Sequence, residues 1–139
     1  MAFAMSARRP AFRLRLDLHS GVPVYRQIID QVRGGIASGS LSVGDQLPTV
    51  RQLAVDLSIN PNTVARAYRE LELGGVLETH QGTGTFISSQ RIRGGDEERS
   101  RQLALIVAES LARAGAIGFT VEDLIEQLRG LVLEPSRRR

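Results

Sequence analysis

From Phe12 the chain alternates strictly, Phe12, Leu14, Leu16 and Leu18 against Arg13, Arg15, Asp17 and His19. Period two predicts a strand with one buried face. Ser20-Gly21 break that pattern, and Pro23 suits the first turn of a helix, where its missing N–H is no loss. Val24, Ile28, Val32 and Ile36 then recur every four residues, with Tyr25 and Ile29 beside them, so a helix is expected to about Ser38. Gly34-Gly35 near its end weaken it by about 1 kcal/mol each relative to alanine.

A capping box opens the next helix: the Thr49 hydroxyl can cap while Gln52, three residues on, reaches back to the free backbone N–H. Val50, Leu53, Ala54 and Leu57 follow with the i, i+3, i+4, i+7 spacing of one buried face. Asn60-Pro61 then supply an N-cap and a first helical residue for a third helix, on which Val64, Ala67, Tyr68 and Leu71 repeat that spacing. Gly74-Gly75 can end it in the left-handed conformation. Two amphipathic helices joined by so short a turn must cross and pack, which is the helix-turn-helix unit. Ala54 is small where the helices approach, and Ser58 stands at the turn position where glycine is the common choice. Val76–Thr79 and Thr85–Ser88 are β-prone runs around His80-Gln81-Gly82-Thr83-Gly84, a hairpin placed as a wing.

Residues 91–100 are polar, with paired glycines, and read as a linker or a helix start. Leu103, Ala104, Leu105, Ile106, Val107, Ala108 and Leu111 then make a helix apolar on nearly every side, which must be covered on every side. Thr120, followed by Glu122 and Asp123, caps a last helix with Val121, Leu124, Ile125, Leu128 and Val132 on one face. Two short helices cannot enclose the first of them, so a second copy of the chain is the expected cover. Leu103, Ile106, Val107, Leu111, Leu124, Ile125 and Leu128 are the candidate dimerisation residues. The expected fold class is mainly α with a small β wing: an N-terminal winged helix-turn-helix over 12–90, then a short C-terminal helical dimerisation region over 101–134. A mobile basic arm at 1–11 and a short basic tail at 135–139 flank them.

Charge sharpens this picture. All 18 basic residues are arginine, and the net +3 divides into +4 over 1–16, −2 over 17–90 and +1 over 91–139. The middle of the chain is mildly acidic, so a nucleic-acid site there must be built from placed residues rather than general attraction. Zero cysteine excludes disulfides, thiolate zinc sites and thiol chemistry. Arg8-Arg9 could begin a twin-arginine signal, but Arg13, Arg15 and Asp17 follow where an apolar stretch is required. No apolar run approaches the roughly 18 residues that cross a bilayer, so no membrane association and a cytoplasmic location are expected.

No catalytic constellation emerges. The two histidines, His19 and His80, lie far apart, and the acids Glu97-Glu98 and Glu122-Asp123 stand at helix starts, where the macrodipole favours them. Gly82-Thr83-Gly84 is no phosphate loop, since a strand follows it and there is no lysine. No enzyme activity, cofactor or metal is expected. The third helix is more specific. With its apolar residues turned inward, Asn62, Arg66 and Arg69 point outward, with Thr63 at the flank. Arginine can donate two hydrogen bonds to guanine, and asparagine can pair in the same way with adenine, so these residues suit a major-groove reader. The competing reading has Arg66 and Arg69 solvated or paired with Glu70 and Glu72. Thr49 and Arg51 can clamp a phosphate near the second helix's N-terminus. Gly82 and Gly84 would let the wing approach the minor groove, although a tight hairpin needs glycine too.

Leu47-Pro48-Thr49-Val50-Arg51-Gln52-Leu53-Ala54, Asn60-Pro61-Asn62-Thr63-Val64, Arg66-Ala67-Tyr68, Glu70-Leu71-Glu72, Gly75 and Gly82-Thr83-Gly84-Thr85-Phe86-Ile87 together resemble the DNA-binding domain of the GntR family of bacterial transcriptional regulators. Pro23-Val24-Tyr25-Arg26-Gln27-Ile28 resembles that family's first helix, so the likeness covers roughly residues 12–88. It implies a dimeric winged helix-turn-helix protein on a two-fold symmetric double-stranded DNA operator, usually a repressor. By resemblance Arg51, Asn62, Thr63 and Gly84 map to positions that contact DNA. Many relatives have arginine where this chain has Pro61 and Ala65, which shifts base readout toward Asn62, Thr63 and Arg66. The Asn-Pro-Asn-Thr-Val form is typical of the short YtrA-like branch. Only 49 residues follow Gln90, too few for the large effector domain of most members. Three alternatives stay open: a regulator whose small-molecule effector binds between the C-terminal helices, an architectural DNA binder, and a winged helix used only for protein contacts.

Overall fold

Residues 12–89 and 95–132 are described by a computed structural model; the expected basic arm and tail lie outside the described residues. The chain divides into two compact units, Met1–Gln90 and Arg91–Arg139.

In the first unit the hydrophobic stripes become three helices, α1 (Val24–Ser38), α2 (Val50–Leu57) and α3 (Pro61–Leu73), with three short strands, β1 (Gln46–Leu47), β2 (Leu77–His80) and β3 (Gly84–Ile87). The strands form one antiparallel sheet in the order β1-β3-β2, with Gln46 opposite Phe86 and Leu77 opposite Ile87. β1 was not expected from the sequence, because two residues carry no readable period. Ile28 and Val32 of α1, Leu53 and Ala54 of α2, Val64, Ala67 and Leu71 of α3, and Leu77 and Ile87 of the sheet close a single core. Each helix and the sheet therefore hide their apolar stripes in the same core.

The alternating segment from Phe12 to Leu18 is not a strand. Three of its four inward positions behave as expected, since Phe12, Leu14 and Leu16 pack against the core, whereas Leu18, at the turn that ends the segment, is exposed. Its backbone groups, however, are satisfied by side-chain amides. Gln31 Oε1 accepts from the Arg15 N–H at 2.9 Å and its Nε2 donates to the Arg15 carbonyl at 2.6 Å. Gln27 does the same for Asp17, at 2.8 and 2.9 Å. Two glutamines one helical turn apart thus imitate a neighbouring strand, and no ladder is needed. Phe12 also explains Gly35: a Cβ there would lie 2.7 Å from the Phe12 ring. Pro23 stands at the N-cap rather than inside the first turn, its carbonyl accepting from Arg26 and Gln27.

The turn between α2 and α3 carries a cost. Ser58 is the one non-glycine residue with positive φ among those described, at φ 58 and ψ 47. At the other end of α3, Gly75 (φ 80) takes the left-handed conformation while Gly74 (φ −83) does not.

The second unit consists of α4 (Asp96–Ala116) and α5 (Val121–Leu131). Thr120 and Asp123 form a reciprocal capping box at the start of α5. Asp96, Glu97 and Glu98 fill the first turn of α4, where the helix dipole favours them. No single helix among the described residues is long and apolar enough to cross a membrane.

Candidate nucleic-acid interface

α3 is fixed at its N-terminus and along its buried face before any of its outward residues is considered. The Asn60 side chain accepts from the Asn62 N–H at 2.7 Å, and Pro61 takes the first helical position, where it needs no acceptor. The Tyr68 hydroxyl, from the buried face, donates to the Pro48 carbonyl at 2.7 Å and so ties α3 to the start of α2. Burial pushes that phenol above its usual range and keeps it a donor. Val64, Ala67, Tyr68 and Leu71 are all buried, which leaves Asn62, Arg66 and Arg69 on the exposed arc and Thr63 half-buried at its edge.

The three long residues of this arc are not equivalent. Asn62 is exposed, its side chain held by no other described residue. Arg69 is exposed and, among the described residues, has no carboxylate partner. Arg66 is occupied. Its guanidinium carbon lies 3.7 Å from the centroid of the Tyr25 ring on α1, and its Nε is 3.6 Å from Glu70 Oε2. The sequence offered the Glu70 pair as one alternative; it gave no sign that Tyr25 lies beneath.

At the start of α2 the Thr49 oxygen accepts from the Gln52 N–H at 3.0 Å while Gln52 Oε1 accepts from the Thr49 N–H at 2.9 Å. The hydroxyl proton of Thr49 is left to donate outward. Arg51 beside it is exposed and has no carboxylate partner among the described residues. A cation and a hydroxyl donor on the first turn of a helix make a site suited to phosphate.

The wing's two glycines separate into different roles. Gly82 (φ 81) sits at the third position of a turn closed by the Thr83 N–H on the His80 carbonyl at 2.9 Å, where a positive φ is required, with open space above it. Gly84 (φ 135) also has a packing reason: a Cβ there would collide with the Gln46 side chain, whose Nε2 donates to the Thr83 carbonyl at 3.0 Å. Gln46 was missed by the sequence reading and holds the wing against β1. His80 is engaged locally, with its Nε2 3.3 Å from Glu78 and its ring edge-on to Phe86.

In the second unit the candidate dimerisation residues divide by exposure. Leu103, Ile106, Val107, Ile125 and Leu128 are exposed, while Leu111 and Leu124 are half-buried.

Residues 24–87 match the family described as bacterial regulatory proteins, gntR family. The HTH-type transcriptional regulator Rv1152 of Mycobacterium tuberculosis is 40% identical over 115 residues, which is 83% of this chain and 90% of that protein. The chain belongs to the GntR family. Its resemblance to YtrA proteins runs through both sequence and structure. The HTH-type transcriptional repressor YtrA of Bacillus subtilis is 47% identical over 75 residues, 54% of this chain and 58% of that one. YtrA from Sulfolobus acidocaldarius, a GntR-family transcription factor of known structure, is 32% identical with a TM-score of 0.54, covering 71% of this chain and 97% of its own. This GntR protein is thus a DNA-binding transcriptional regulator with YtrA-like relatives, which are regulators and not enzymes.

Proposed function

We propose that the protein is a cytoplasmic, sequence-specific repressor that grips a two-fold symmetric operator as a homodimer. In this reading Asn62, Thr63 and Arg69 of α3 address base edges in the major groove. Thr49 and Arg51 hold a phosphate, and the wing tip at Gly82 and Gly84 follows the minor groove. The observation that carries it is the exposed arc of α3: an amide, and a guanidinium with no carboxylate partner among the described residues, on a helix tied down by Asn60 at its start and by Tyr68 on its buried face. Repression is favoured by the likeness to the B. subtilis protein named a repressor. The 101–134 region supplies the second copy's contact through Leu103, Ile106, Val107, Leu111, Leu124, Ile125 and Leu128, because exposed apolar side chains of this size seek cover.

Selection of bound sequences from random double-stranded DNA tests this. The expected result is an inverted repeat whose half-sites are separated by about 34–36 Å or a multiple of it. Enrichment of no motif, or of a single asymmetric half-site, would overturn the reading.

A further inference from the structure

Arg66 has the geometry of a strut. Its guanidinium is stacked on Tyr25, a half-buried residue of the first turn of α1, and its Nε faces Glu70 one turn further along α3. The cation thus has an aromatic face on one helix and a carboxylate on its own, and the first of these contacts bridges α1 and α3. The ring and the carboxylate together fix where the guanidinium lies, so a base contact that needs it elsewhere has to give up the stack. Asn62 and Arg69, on the same arc, have no such partners among the described residues.

We propose that Arg66 is a positioning residue that sets the roll of the recognition helix on α1 through Tyr25, and that it does not read a base. This rests on the operator-binding reading above. A stack at a half-exposed site contributes about 0.5–1 kcal/mol, equivalent to roughly a two- to fivefold effect. Removing Arg66 should therefore weaken binding to every sequence by about that factor and leave base preference intact.

The experiment compares wild type, Arg66→Ala, Tyr25→Leu, Tyr25→Phe and the Arg66→Ala/Tyr25→Leu double variant. Base-preference profiles, the slope of log affinity against log salt, and thermal unfolding are measured on the full chain. Expected are unchanged profiles and salt slopes throughout, equal losses for the two single variants, no further loss in the double variant, and near wild-type behaviour for Tyr25→Phe, which keeps the ring. A profile that relaxes at one operator position in Arg66→Ala alone makes Arg66 a base reader and overturns the proposal. A salt slope reduced by about one in Arg66→Ala makes it a phosphate contact, with the same consequence. If wild type selects no motif at all, the operator reading is what fails. The strut is still judged by unfolding, where additive shifts in midpoint for the two single variants would sink it and a double variant no worse than either would support it.

Discussion

In the first unit Ile28, Val32, Val64 and Leu71 are sealed from solvent, and the apolar stripes of three helices and a sheet meet in one core. In the second, Ala114 is the one buried hydrophobic residue among those described, while Leu103, Leu105, Ile106, Val107, Leu128 and Leu131 stand exposed. Both stretches are rich in leucine, isoleucine, valine and alanine. What separates them is layering: α1, α2, α3 and the wing offer each stripe a partner, whereas α4 presents apolar residues on several sides and α5 alone cannot face them all. Hydrophobic content makes a helix want cover; the number of elements in the chain decides whether it finds it.

The sharpest way to break this contrast is to remove an apolar side chain from each side. Leu71→Ala should lower the free energy of unfolding by about 2–5 kcal/mol, read from urea denaturation, because the site is closed and leaves a cavity. A loss under about 0.5 kcal/mol, the size typical of surface sites, would show that the core is not closed there. The matching change in the second unit is Ile106→Asp. It should leave the first unit's helical signal unaltered and turn a dimer into a monomer by light scattering at micromolar concentration; a surviving dimer removes Ile106 from the contact.

A smaller effect is expected where the first unit meets DNA. Asn62→Ala should cost about 1–3 kcal/mol of operator affinity and relax preference at one position in each half-site, seen by repeating the sequence selection. An unaltered profile would take base reading away from Asn62. Smallest is Ser58→Gly, expected to raise stability by about 0.5 kcal/mol. It relieves the roughly 1–2 kcal/mol strain of a left-handed non-glycine residue and gives back about 0.5–1 kcal/mol in chain entropy. A fall in the unfolding midpoint would show that the Ser58 side chain holds something the backbone alone does not.

The parts that the sequence made legible are those whose partners lie three or four residues away. The Thr49–Gln52 box, the Thr120 cap, the Asn60-Pro61 start and the awkward turn at Ser58 are all local, and all are present; that Asp123 completes a box with Thr120 is added by the structure. Helix stripes were equally readable, since a period names a face. It does not name what lies against that face. The alternation correctly marked Phe12, Leu14 and Leu16 as inward, missed that Leu18 turns out to solvent, and implied a strand neighbour that two glutamines replace. Arg66 projected outward on the wheel, but Tyr25 belongs to another helix and its place beneath the guanidinium is a tertiary fact. Gln46 and the two-residue β1 were invisible for the same reason.

The glutamine clamp has one more implication. Four residues of helix rise about 6 Å and two residues of extended chain about 6.7 Å, so Gln27 and Gln31 keep step with Asp17 and Arg15 like the marks of two nearly equal rulers. The next mark on the helix is Gly35, and the Phe12 ring rests there instead of another amide. The bonds to Arg15 and Asp17 are to backbone alone and would form equally well with the segment moved by two residues, but Gln27 also donates to the Ser20 hydroxyl and the Val22 carbonyl, which holds one end in place. The hollow left by a missing side chain at Gly35, filled by the Phe12 ring, holds the other end.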